Sequence, residues 1–277
     1  MKQSAVRPAA VAGTFYPSER ALLAQTVDEL LERASDEEPP EGLKGLIVPH
    51  AGFQYSGYTA AQAFALLRDQ QFDTVFVVGP SHREYFEGIS ISPHDAYHTP
   101  LGDVPVNHEF RKKLVDEAKR IVISPDGHRA EHCIEVQLPF LQRVLKSFSL
   151  VPIIIGDQHR EFCESLAEVL SSVGGISNAL LVASSDLSHY HPYDDAVRLD
   201  RLVIDDVEAF RPDSLIEKLE LSEAEACGGG PIVSVMMAAR SLGAGHAHIL
   251  HYCNSGDVTG DKARVVGYLS AALAGVH

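Results

Sequence analysis

The chain has 277 residues, 45% apolar and 22% charged, with 23 Lys and Arg against 38 Asp and Glu for a formal charge of −15. That balance excludes an intrinsically disordered chain, which would pair few apolar residues with high charge. The acidity argues against duplex nucleic acid or an anionic membrane as partner, because both call for a basic face.

Taken in chain order, the N-terminus lacks the apolar core of a signal peptide, and no apolar run approaches the roughly 20 residues that span a bilayer, so the protein is expected in the cytoplasm. Helix-length amphipathic stretches then alternate with short apolar runs bounded by Gly, Pro or Ser. The spacing predicts strands over 45–49, 74–79, 88–92, 150–155, 179–184, 248–252 and 264–270. Helices are expected over 18–34, 58–67, 107–118, 134–145, 161–171, 194–210, 212–219 and 230–241. This order reads as α/β: a single domain over residues 1–277 with a central, mostly parallel sheet covered by helices on both faces. The acidic, proline-bearing stretch 35–42 is the best linker, but what precedes it is too short to form its own core.

Histidine is the unusual entry in the composition, with 14 copies against no Trp and 3 Met. In open α/β sheets ligands bind beyond the carboxyl ends of the strands, where loops and helix N-termini converge. His50 follows the strand 45–49, His82 follows 74–79 and His189 follows 179–184. One such His is commonly a loop residue or a cap; three at equivalent ends point to a metal or proton-transfer site.

Cys227 precedes three glycines and an apolar helix. A thiol there meets the positive end of the helix dipole, which favours thiolate and suits a nucleophile or a metal ligand. Cys133, Cys163 and Cys253 are dispersed without a C-x-x-C pair and read as free thiols. Asp186, in the turn after a strand, is either an orienting carboxylate or a turn former. Tyr55 and Tyr58 could line a pocket, since Gly52 and Gly57 permit close backbone approach.

Two hydrolase readings compete. His128-Arg-Ala-Glu-His132 matches an inverted zinc-peptidase signature, but Pro125-Asp-Gly127 places His128 at or ahead of the helix start, where the two His would not share a face. His132 could still reach the site alone, with Glu131 or Glu135 supporting it. Ser184-Ser185-Asp186 with a nearby His suggests a Ser-His-Asp hydrolase, yet no G-x-S-x-G elbow is present.

Taken together, RPAAVAGTFYP (7–17), PHAGFQYSG (49–57), GPSH (79–82), EHCIEVQLPFLQ (131–142), SSDLSHY (184–190), ACG (226–228) and GDVTGD (256–261) resemble the Memo family, known in bacteria and archaea as AmmeMemoRadiSam system protein B. The resemblance runs in order along nearly the whole chain. It implies a fold similar to class III extradiol dioxygenases, non-haem iron enzymes that cleave catechol-type rings. It also implies His50, His82 and Cys227 as metal ligands, His189 as acid/base, and Asp186 and His132 in the same catalytic pocket. The cofactor implied is Fe(II), with copper as the alternative and zinc after both, since a thiolate stands where the dioxygenases carry a carboxylate. A small, catechol-like substrate is expected, with other proteins of the AmmeMemoRadiSam system as candidate partners. The competing reading within the family is a non-catalytic peptide- or protein-binding module; for a phosphopeptide the sequence offers only Arg83 and Arg129 near the pocket.

Overall fold

A computed structural model describes residues 5–175 and 178–275. In chain order the elements are β1 (Val6–Arg7), α1 (Arg20–Glu32), β2 (Gly45–Val48), α2 (Phe53–Ala65), β3 (Thr74–Pro80), β4 (Ile89–Ile91), β5 (Ala96–Thr99), β6 (Gly102–Pro105), α3 (His108–Lys113) and β7 (Ile121–Ile123). They continue with α4 (Leu138–Val144), β8 (Ser149–Ile155), α5 (Arg160–Gly174), β9 (Ala179–Ser184), β10 (His189–His191), α6 (Tyr193–Glu208), α7 (Pro212–Glu220), α8 (Gly229–Ser241), β11 (Ala244–Asn254), α9 (Ser255–Thr259) and β12 (Val265–Gly275).

The main sheet has nine strands, ordered β10-β12-β2-β9-β3-β8-β4-β7 with β11 added on β12. Its centre is parallel: β2, β9, β3 and β8 run together, and β4 pairs in parallel with β7. The flanks are antiparallel, through β12 on β2, β11 and β10 on β12, and β4 on β8. Long helix-bearing connections permit the parallel pairing, whereas the short return from β11 to β12, which holds only the single turn of helix α9, suits the antiparallel edge. A small sheet, β1-β5-β6, stands apart.

Alternation along the central strands explains the two layers of helices. Leu46 and Val48, Val75 and Val77, and Leu180 and Val182 pack into one apolar core with residues of α1, α2 and α4. Ile47, Phe76 and Val78, and Leu181 and Ala183 pack into the other with residues of α5, α6, α7 and α8. Successive side chains point to opposite faces, so strands buried on both faces read as continuous apolar runs.

Two predicted helices are shorter than the pattern suggested. The stretch 107–118 splits into α3 and a separate 3₁₀ turn at Glu117–Lys119, ended by Arg120 at φ 55°. The stretch 134–145 begins as a 3₁₀ turn at Glu135–Gln137 and becomes α-helical only at Leu138, where Pro139 sits in the first turn, the position at which a missing N–H is harmless. Strand β10 and the small sheet carry too few apolar residues to be seen in the pattern.

Candidate metal centre

The strands β2, β9 and β3 are immediate neighbours and run in parallel, so their carboxyl ends meet. His50 leaves the end of β2, His82 the end of β3 and Asp186 the end of β9, and His189 opens β10 just beyond it. His50, His82, His132, Asp186 and His189 line one cavity of about 430 Å³ with Phe15, Tyr55 and Tyr268 among its other walls. The rings of His50 and His82 are 4.9 Å apart between centroids, those of His50 and His132 5.2 Å, and those of His82 and His132 4.6 Å. One ligating nitrogen from each of these three lies within 4.8 Å of the other two, close enough to share an ion.

Hydrogen bonds set the tautomers. The Ser184 hydroxyl donates to the Cys133 carbonyl at 2.7 Å and accepts from the Gln137 amide at 2.9 Å. Its one hydrogen is committed, so its 2.9 Å contact with His50 Nδ1 requires Nδ1–H as donor, which leaves His50 Nε2 with a free lone pair. His82 Nδ1 stands 2.9 Å from Glu131 Oε1, a carboxylate oxygen that only accepts, and is protonated for the same reason. His189 Nδ1 donates to the Leu187 carbonyl at 2.8 Å. Three imidazoles are thus turned with Nε2 available, the pattern by which outlying partners orient metal-binding and basic histidines.

His132 is held differently. Its Nδ1 lies 3.1 Å from Glu131 Oε1, but the angle is outside hydrogen-bonding geometry, and this buried atom has no other partner. Glu131 also accepts the backbone N–H groups of His82 at 2.7 Å, His132 at 2.8 Å and Cys133 at 3.1 Å. Burial alone would raise this carboxyl, but the neighbouring His132 and His82 rings, with the His82 N–H, outweigh it and hold Glu131 well below the usual carboxylate range. Burial, with the neighbouring His82 and His132, keeps His50 far below its ordinary value, so it is neutral at pH 7 and fit to ligate.

Cys227 sits at the edge of this group. Its Sγ is 3.1 Å from His50 Nε2 and accepts the Asp186 N–H at 3.3 Å, and it also lines a second cavity of about 710 Å³ that reaches His189 from the other side. The expected acidification of the thiol is not what the geometry produces. Burial, and then the Asp186 carboxylate, push Cys227 up, and hydrogen bonds from Asp186, Ser185 and Gly228 do not compensate. Cys227 Sγ and His50 Nε2 face each other along the line that a cation bound by both would take; nitrogen and sulfur donors of this kind suit iron, copper or zinc.

The remaining expectations divide. Asp186 Oδ1 accepts the His50 N–H at 2.7 Å, and burial pushes its carboxyl up. Tyr55 lines this cavity, and Tyr55 and Tyr58 together line a separate one of about 720 Å³; Tyr58 also meets His251 edge-on. Neither His128 nor His132 lies in a helix, and both ring nitrogens of His128 are occupied: Nδ1 by the Tyr97 hydroxyl at 2.8 Å and Nε2 by the Ser90 carbonyl at 3.1 Å. That overturns the zinc-peptidase reading. His277 lies outside the described residues. Sequence reasoning missed Ser184 as the partner of His50, Gln137 behind it, and the cavity walls Phe15 and Tyr268. Ser184 could have been found as the last residue of a strand whose neighbour ends in His; Phe15 has no local signal.

The family model for Memo-like proteins matches residues 7–272. This chain belongs to the Memo family. A MEMO1 family protein of Sulfolobus acidocaldarius is 37% identical over 279 aligned residues, covering 96% of this chain and 98% of its own, and one of Methanosarcina mazei is 38% identical over 272, covering 95% and 97%. Among solved structures, an uncharacterized Escherichia coli K12 protein superimposes with a TM-score of 0.58 at 14% identity, covering 83% of this chain and 99% of its own, a likeness of fold alone. For the Memo chain in hand, the residues that bring His50, His82 and His132 together all lie within the matched span.

Proposed function

We propose that this Memo protein is a metal-dependent oxidoreductase of the class III extradiol dioxygenase type, acting in the cytoplasm on a small aromatic or otherwise enolisable substrate with paired oxygens. The observation that carries this reading is the shared orientation of His50, His82 and His189, each with Nδ1–H committed so that Nε2 carries the lone pair, which in His50 faces the Cys227 sulfur. His50, His82 and Cys227 would hold Fe(II) or copper; Cys227 lies against His50, and His132 is close enough to His50 and His82 to join them. When bound, such a metal supplies Lewis acidity at the substrate oxygens and a route for electrons.

The chain's own residues do the rest. His189 Nε2 takes the proton of a substrate hydroxyl and later returns it. The Tyr268 phenol, pushed up by burial and by Asp186, stays protonated as a hydrogen-bond donor on the cavity wall. Phe15 and Tyr55 narrow the cavity against water. A phosphopeptide-binding role draws less support, because Arg129 pairs with Glu84 at 2.7 Å and lies 3.6 Å from Asp126.

The test is anaerobic reconstitution with Fe(II) or Cu, followed by metal analysis, spectroscopy that reports a bound sulfur, and oxygen uptake with a panel of catechols. Stoichiometric metal is expected, lost in His50→Ala, with the sulfur signature lost in Cys227→Ser. His189→Gln should keep the metal and lose turnover. A chain that binds no stoichiometric metal, or a His50→Ala variant that binds as well as the parent, disproves the reading.

A further inference from the structure

The cavity at the metal centre adjoins a second one of about 410 Å³, with Tyr55, Tyr190, Val266 and Tyr268 lining both. The outer chamber holds one cation, Arg264, and one carboxylate, Asp261, whose Oδ1 already accepts the Ala263 N–H at 3.0 Å.

How Arg264 is presented depends on a bulge. Strand β10 pairs with β12 through His189 opposite Val266 and His191 opposite Val265, so Tyr190 is the extra residue in the ladder. Its backbone is left-handed, φ 64°, and 61% of the residue is exposed. A bulge of this kind re-aims a side chain, and a bulky residue at positive φ persists only where its surroundings hold it there. Here the ring turns to the mouth of the cleft, and the Arg264 guanidinium lies over it, 5.1 Å from the centroid.

Stacking on an aromatic face leaves the edge of a guanidinium, with its N–H fork, free to meet an anion. Among the described residues no carboxylate lies within ion-pairing distance of Arg264, although most arginines of this acidic chain, Arg129, Arg143 and Arg240 among them, are so paired. A chain of charge −15 repels anions at long range, so the exposed Arg264 in the lining of the outer cavity selects by local contact.

We infer that Arg264, held over Tyr190, is a specificity-determining residue that binds a carboxylate on the substrate while the substrate's oxygens lie at the His50/His82 end of the cleft. The inference rests on the oxidoreductase reading for that second half only; the anion contact stands on the cleft itself. The substrate class it names is a carboxylic acid whose acid group is separated from its paired oxygens by a ring or chain bridging the two chambers.

The experiment is calorimetric binding of 3-(3,4-dihydroxyphenyl)propanoate and its neutral amide to the full chain, metal-free and Fe(II)-loaded without oxygen. The acid should bind at least about tenfold more tightly than the amide, the scale of a hydrogen bond to a charged group. Arg264→Ala should bring the acid down to the amide while amide affinity and metal content stay unchanged, and Arg264→Lys should restore part of the preference. Equal binding of acid and amide, binding of neither, or a preference that survives Arg264→Ala overturns the anion contact. If the chain binds no metal but still prefers the acid through Arg264, the contact stands and the oxidoreductase reading falls.

Discussion

Glu131 does at residue scale what no single ligand could. One carboxylate receives the His82 ring and three backbone N–H groups, of His82, His132 and Cys133, so it fixes the tautomer of one imidazole and the path of the chain at two places. Glu131→Gln replaces an obligate acceptor with a group that also donates, and His82 loses the reason to keep its proton on Nδ1. Metal affinity should fall about 10- to 100-fold, the usual effect of losing a partner behind a ligating histidine, as read by competition against a chelator. Unchanged affinity would mean that Glu131 only shapes the loop. From the sequence Glu131 was visible as a neighbour of His132; its hold on His82 was not, because those residues are far apart in the chain and meet only when β3 lies beside the 131–137 turn.

At the scale of elements, the site depends on how closely the turn before α8 approaches the end of β9. Gly228 N–H donates to Ser185 Oγ at 2.9 Å, and a Cβ on Gly228 would lie 2.8 Å from the Ser185 Cβ. Gly228→Ala therefore has to push the Cys227 turn off the strand. The substitution should cost about 1–3 kcal/mol, the range for overpacking a filled interior, and should weaken or abolish the sulfur signature of the metal-loaded protein. Denaturant unfolding reads the first effect and spectroscopy the second; Gly228→Ala with native stability would show that the turn has slack. The three glycines at 228–230 were plain in the sequence as the lead-in to an apolar helix. The physical reason for the first of them, backbone packed on backbone, needs β9 in place.

Across the whole molecule, burying neutral histidines makes the fold sensitive to acid. Burial holds His128 down at about 3 against the usual 6.5, and burial keeps His50 well below it as well. Between those values the unfolded chain binds protons that the folded one refuses, so stability falls as pH drops below about 6.5, by up to about 1.4 kcal/mol per pH unit for each such group. Glu131, held low, adds to the loss once pH falls below its usual 4.5, while the raised Asp186 and Asp200 carboxyls oppose it. Thermal unfolding from pH 7 to pH 4 should show a falling midpoint, with a shallower dependence in His128→Gln. An equal slope in that variant would mean that His128 is protonated in the folded state.

Periodicity and strand-end position, both local properties, were enough to determine the α/β class, the order of the central strands and helices, and three histidines as the residues to watch, because apolar alternation and a polar residue just past a strand are written in neighbouring positions. Only the tertiary structure decided that β2, β9 and β3 are adjacent, that His132 joins them while His128 is spent on Tyr97 and Ser90, and that the half-buried Cys227 thiol lies beside Asp186, where desolvation and that carboxylate push it up. Those outcomes turn on which backbone groups and charges lie within a few ångströms across distances of up to 177 residues along the chain, as between Cys227 and His50, and no local pattern carries that information.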